Sequence, residues 1–86
     1  MENYKLVFKR SVAKDLRNIP NKDVKKILRT IESLLDDPRS EACIKLSGQE
    51  RYRIRQGVYR IVYEIQDEEL IILVVKVAHR SVIYKK

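Results

Sequence analysis

From Arg51 to Arg60 the chain reads Arg-Tyr-Arg-Ile-Arg-Gln-Gly-Val-Tyr-Arg. This alternation of guanidinium and apolar groups fits an extended strand, whose side chains switch sides at every residue. Arg51, Arg53 and Arg55 share one face; Tyr52 and Ile54 share the other. A two-residue loop at Gln56-Gly57 would close the stretch into a hairpin with Arg55 facing Val58, Arg53 facing Arg60 and Arg51 facing Val62. Like charges directly opposite destabilise a ladder, so Arg53 against Arg60 points to a polyanion, most simply phosphate, lying over that face.

Eighty-six residues are enough for one two-layer domain spanning residues 1–86 and too few for a second. The formal net charge of +7 favours an acidic or nucleic-acid partner, although charge alone speaks to association rather than to chemistry. Cys43 is the single cysteine and has no internal disulfide partner. The opening Met1-Glu2-Asn3-Tyr4-Lys5 lacks the apolar core of a signal peptide, so the cytoplasm is expected. The longest apolar run, Leu70 to Val75, is far shorter than the roughly 20 residues of a membrane span and reads as a buried strand. No membrane role is expected.

Tyr4 to Phe8 is a short strand, after which Ser11 is placed to cap a helix with Val12, Leu16 and Ile19 on one stripe, ended by Pro20. Asn21 is placed to cap a second helix carrying Val24, Ile27, Leu28, Ile31, Leu34 and Leu35 at i, i+3, i+4, i+7 spacing. Asp36-Asp37-Pro38 closes it, and Arg39 to Gly48 reads as an irregular connection anchored by Leu46. Strands follow near Glu50 to Arg55, Val58 to Ile65 and Leu70 to Ala78, the last apolar on both faces and so expected inside the sheet.

This order predicts an α+β fold, a mostly antiparallel four-stranded sheet with two helices on one face. The first strand after the helices should run opposite to the N-terminal strand. Tyr52, Ile54, Tyr59, Ile61 and Tyr63 would meet the helices and leave the arginines outward. An odd loop at Asp67 to Glu69 pairs Arg60 with Lys76 and brings Arg80 to the same side. It is favoured because it keeps the Lys76 ammonium out of the core.

Several chemistries lack their residues. One His, one Cys and no adjacent carboxylate pair give no metal site, and two glycines, Gly48 and Gly57, give no phosphate-cradling loop. No serine has a linked imidazole and acid. No cofactor is expected. What remains is the basic strand face, the segment Ala78-His79-Arg80-Ser81-Val82-Ile83-Tyr84, and aromatic rings available for base stacking.

Those residues carry a likeness. The sequence resembles the RelE/ParE toxin superfamily over nearly its full length, and within it the RelE-like ribosome-dependent mRNA interferases. The likeness rests on the order strand, two helices, meander; on Lys45-Leu46-Ser47-Gly48; on Tyr52-Arg53-Ile54-Arg55 followed by Tyr59-Arg60-Ile61-Val62-Tyr63; and on Val77-Ala78-His79-Arg80 with Tyr84. The resemblance implies the toxin of a type II toxin–antitoxin pair. Such a toxin cleaves mRNA in the ribosomal A site, the 2′-hydroxyl attacking the adjacent phosphodiester without a metal.

By position, the resemblance sets Arg53 and Arg55 at two family lysines, Arg60 and Arg80 at family arginines, and Tyr84 at a C-terminal tyrosine. Arg51 and Lys76 would add substrate contacts. Forked guanidinium donors suit the charge that develops on phosphoryl oxygens in such a reaction. Tyr84 would stack on a base or orient the nucleophile, or else simply pack on the sheet edge.

The departure from the family lies at Arg53 and Arg55, because an arginine cannot give up its proton as a lysine can. His79 and Glu50 stand as the alternatives for general base, beside a site that works through phosphate neutralisation and alignment alone. Two rival readings share the fold or the charge: a ParE-like toxin acting on DNA gyrase, and a non-catalytic RNA-binding module. The resemblance further implies a cognate antitoxin whose acidic segment covers the basic surface. Ribosomal RNA is the expected partner of Lys14, Lys25 and Lys26.

Overall fold

The stretch that is apolar on both faces needs neighbours on both edges as well as a layer above it, and the chain supplies both. The computed structural model describes residues 4–46 and 51–81. In chain order the elements are β1 (Lys5–Phe8), α1 (Arg10–Arg17), α2 (Asn21–Ser33), β2 (Ile44–Lys45), β3 (Arg51–Gln56), β4 (Tyr59–Gln66) and β5 (Ile71–His79). They form one five-stranded sheet ordered β1-β5-β4-β3-β2, with β1 parallel to β5 and every other pair antiparallel. The twice-apolar strand, β5, is thus enclosed between β1 and β4.

The α+β class, the meander and the helix-covered face agree with the sequence reading, with one strand more than the four expected. Ile44 and Lys45 pair with Arg53 and Tyr52, inside what reads from sequence as an irregular connection. Two residues carry too little alternation to be recognised as a strand. The extra strand also overturns an expected direction: the strand near Glu50 to Arg55, β3, runs with β1 rather than opposite to it, because β2 comes between and takes the reversed direction.

Alternation decides the faces. Tyr52, Ile54, Ile61, Tyr63, Ile65, Ile72, Val74 and Val77 point to the helices and join Val12, Ile19, Ile27, Ile31 and Leu34 in one core. Each such aliphatic side chain stabilises the fold by about 1.5–3 kcal/mol when fully buried. Tyr63 has no exposed surface, and its hydroxyl donates to the Pro38 carbonyl at 2.6 Å, tying the loop after α2 to the sheet. Neither helix is capped as expected. Lys9 and Pro20 occupy the N-cap positions, neither helix has a side-chain cap, and Ser11 and Asn21 lie inside the first turns. Among the described residues no helix is long and apolar enough to cross a membrane.

Two registers differ from the sequence expectation. Gln56 pairs with Tyr59, so the hairpin loop is Gly57-Val58 rather than Gln56-Gly57. Gly57 has φ +60, and a II′-type loop needs a positive φ only at its first position; a Gln56-Gly57 loop of type I′ would also force Gln56 there. The shift is two residues, so the faces survive it. Arg55, not Arg53, now opposes Arg60; Arg53 opposes Val62 and Arg51 opposes Glu64.

At the second hairpin Gln66 pairs with Ile71, an even loop of Asp67 to Leu70 with Leu70 at φ +54. The odd loop is therefore incorrect, yet its consequence holds beyond Tyr63. A bulge between the Tyr63–Val74 and Val62–Lys76 pairs inserts Val75 and restores the parity. Lys76 ends opposite Val62 and Ala78 opposite Arg60, in place of the expected Arg60–Lys76 pair.

Candidate functional site

The helix-free side of the sheet gathers the basic residues. Direct cross-strand partners project to one side, so the registers put Arg51, Arg53 and Arg55 of β3 on the same side as Arg60, Val62 and Glu64 of β4 and Ala78 of β5. The Arg80 N–H donates to the Val58 carbonyl at 2.6 Å, extending the ladder one step and giving Arg80 the parity of Ala78. β3, β4 and the residue just past β5 thus contribute arginines to one face, which no helix covers among the described residues.

The individual side chains differ in how they are held. Arg51 is half-exposed and its Nε donates to Glu64 Oε2 at 2.8 Å. Arg55 is exposed beside Arg60. Arg53 and Arg60 are half-buried, and the Nε of each is buried with no hydrogen-bond partner among the described residues. A buried donor left unmade costs about 1–3 kcal/mol, more when charged. An anion with several acceptor oxygens lying over this face would offset the repulsion between Arg55 and Arg60.

Other residues singled out from the sequence lie elsewhere. Lys76 begins on this face, but its Nζ donates to Asp15 Oδ1 of α1 at 3.0 Å, so its ammonium is already partnered. His79 pairs with Tyr59, on the helix side of the sheet, and the two rings meet edge to face at 5.7 Å. Its Nδ1 accepts the Ser81 backbone N–H at 3.1 Å, which leaves Nε2 to carry the proton. Hence the sheet separates His79 from the arginine face. Glu50, Gly48 and Tyr84 fall outside the described residues.

Two neighbours of the site escaped the sequence reading. Glu64 shares the parity of Arg60, so alternation alone would have placed it. Ile44, 49% exposed and paired with Arg53, could not be anticipated without β2.

At the far end of the sheet Arg39 forms a separate network. Its Nη2 and Nη1 donate to Asp67 at 2.8 and 3.3 Å and its Nε to the Tyr52 hydroxyl at 3.1 Å; Tyr4 donates to Asp67 at 2.8 Å. The hydrogen bond from Arg39, then that from Tyr4, holds the Asp67 carboxyl below the usual range. The Tyr4 hydroxyl is raised, chiefly by its bond to Asp67.

The fold and the site together define a small basic α+β domain with an arginine-rich sheet face. Residues 6–84 match the family described as ParE toxin of type II toxin-antitoxin system, parDE. The protein assigned as toxin RelE1 in Methanocaldococcus jannaschii is 35% identical over 78 residues, covering 86% of this chain and 87% of that protein. The chain belongs to the RelE/ParE toxin family.

Solved structures agree. A mutant of the E. coli toxin RelE in the free state has a TM-score of 0.80 at 28% identity, covering 93% of this chain and 86% of that one. The toxin in the intact E. coli RelBE toxin-antitoxin complex has a TM-score of 0.78 at 29% identity, covering 88% and 95%. The RelB-RelE antitoxin-toxin complex from Methanococcus jannaschii gives 0.69 at 29%, covering 86% and 89%.

Proposed function

We propose that this RelE-like toxin is a ribosome-dependent endoribonuclease that cleaves mRNA in the A site through its arginine face. In the reaction the 2′-hydroxyl oxygen bonds to phosphorus, the bond to the 5′-oxygen breaks, and a 2′,3′-cyclic phosphate and a 5′-hydroxyl result. Arg53 and Arg60 hold the phosphoryl oxygens as charge develops there; Arg55 and Arg80 add positive potential, and Arg51 contacts the flanking backbone. The observation that carries this reading is the register that gathers Arg51, Arg53, Arg55, Arg60 and Arg80 on one side of the sheet. Catalysis rests on alignment and electrostatics, with the nucleophile's proton passing to solvent or to the ribosome rather than to His79.

The test is to map the 5′ ends of messages after brief induction. Wild type should give A-site cuts, and Arg60→Gln should lower the cleavage rate by about 10²–10³-fold, the usual effect of losing one donor to a developing oxyanion. Intact messages with wild type would refute the reading. A second reading, poisoning of DNA gyrase, draws on the ParE name of the matching family. Growth arrest with DNA-damage signalling and uncut messages would favour it.

The proposed partners are the ribosome with its mRNA and a cognate acidic antitoxin. Exposed Lys14, Lys25 and Lys26 on the helices are the cations offered to ribosomal RNA. What supports an extended antitoxin segment is the outer edge of β1. The Lys5 and Lys9 N–H groups donate inward to Leu70 and Val74, so those of Leu6 and Phe8 turn outward. Val7 and Phe8 are about two-fifths exposed there, with Lys9 and Arg10 alongside. Such an edge accepts an added strand.

A further inference from the structure

The bulge in β5 decides which residues reach the arginine face, and its surroundings show what holds it. Had the ladder run on unbroken from the Tyr63–Val74 pair, Arg60 would face Val77, Val58 would face His79, and Arg80 would turn to the helix side. Lys76 would then oppose Ile61, which has no exposed surface, inside the core. One extra residue therefore exchanges His79 for Arg80 on the open face.

The bulge occurs where β5 loses its outer neighbour. The last bond from β1 is Lys9 N–H to the Val74 carbonyl at 2.9 Å, after which the chain leaves the sheet to begin α1. Past the bulge Arg60–Ala78 and Val58–Arg80 are the hydrogen-bonding pairs, so Val77 turns its N–H away from β4 toward the vacated edge. Asp15 of α1 meets it there: Oδ2 accepts the Val77 N–H at 3.2 Å, and Oδ1 accepts Lys76 Nζ at 3.0 Å. Its side chain is 14% exposed. A helical side chain thus replaces the missing strand and holds the residues on the C-terminal side of the bulge.

We propose that Asp15 is a positioning residue for Arg80: by holding Val77 and Lys76 it fixes the bulge that turns Arg80, and not His79, toward the arginine face. The proposal rests on the reading of that face as the RNA site. Asp15 touches no substrate. Its contribution is a register, and a carboxylate is suited to this because one oxygen serves the backbone while the other neutralises the lysine.

The test uses the whole toxin and reads register and activity separately. In wild type the Val77 amide should exchange slowly although it lies on a strand edge, and NMR should show Arg60 and Ala78 as cross-strand neighbours. Asp15→Ala should speed Val77 exchange by about tenfold or more, as expected when a local bond is released, and should weaken the Arg60–Ala78 contacts. Asp15→Asn keeps an acceptor oxygen for Val77 and should restore both.

In cleavage assays the losses from Asp15→Ala and Arg80→Ala should be less than additive, since both act through one group. Rapid Val77 exchange in wild type would overturn the proposal whether or not any variant folds. So would an unchanged Arg60–Ala78 contact in Asp15→Ala, or losses that multiply in full. If wild type cuts no RNA, the site reading fails, and the NMR results still decide whether Asp15 sets the register.

Discussion

Arg55 and Arg60 are direct partners across the β3–β4 ladder, two guanidinium side chains rising from neighbouring strands on the same face. Like charges at that separation oppose folding, so the free toxin carries a repulsion that an anion would relieve. Arg55 is the exposed member, so Arg55→Gln removes charge with little loss of packing. The variant should be more stable than wild type by a few tenths to about 1 kcal/mol. The gain should be measurable as a higher melting temperature at low salt. It should vanish in about 1 M salt, where the screening length falls to about 3 Å. An unchanged melting temperature at low salt would show that the pair does not repel.

Phosphate or sulfate should raise the melting temperature of wild type by mass action, because only the folded chain presents the Arg53 and Arg60 donors together. Thermal unfolding against anion concentration checks this. Arg60→Gln should respond less than wild type; an equal response would move the anion site elsewhere.

His79→Ala should keep its cleavage rate to within about threefold of wild type, since no proton relay of the kind that contributes about 10²–10⁴-fold is assigned to this ring. The pH–rate profile on programmed ribosomes should keep its shape as well. Loss of a limb near neutral pH in the variant would restore the histidine as the base.

Asp67 gives the fold an acid-sensitive joint. Its carboxyl is depressed in the folded chain, so its stabilisation is fully present above the ordinary value of 3.8 and lost as pH falls through the lower folded value. Wild type should therefore lose stability below about pH 4, with the midpoint of acid unfolding followed by circular dichroism. Asp67→Asn should show a shallower acid dependence; matching curves would remove Asp67 as the cause.

Tyr63 acts at the other end of the scale. Burial, its largest cause, pushes the phenol well above its ordinary value of 10.0. A raised value stabilises the fold fully below the unfolded value and is lost as pH rises beyond it. Unfolding should set in above about pH 10, with phenolate absorbance appearing together with loss of secondary structure. Tyr63→Phe should resist base better while losing the bond to Pro38.

The sequence by itself determined the layers and the faces. Period-two alternation from Arg51 to Tyr63 separates the arginines from the core tyrosines and isoleucines, and it survives a two-residue error in the loop because parity does not change. Helical spacing did the same for α2, and apolar residues on both sides put β5 inside the sheet. These are properties of a residue and its near neighbours.

Only the tertiary structure decided the rest, because it depends on groups that meet across long stretches of chain. Asp15 and Val77 are 62 residues apart, and no local pattern links a helical carboxylate to a bulge in the last strand. That contact lies where Lys76 is turned to α1, His79 is left beside Tyr59 and Arg80 takes the parity of Arg60. Composition could supply the arginines, but a face is defined by register. Register past a bulge depends on the backbone donors an edge leaves open and the side chains that reach them.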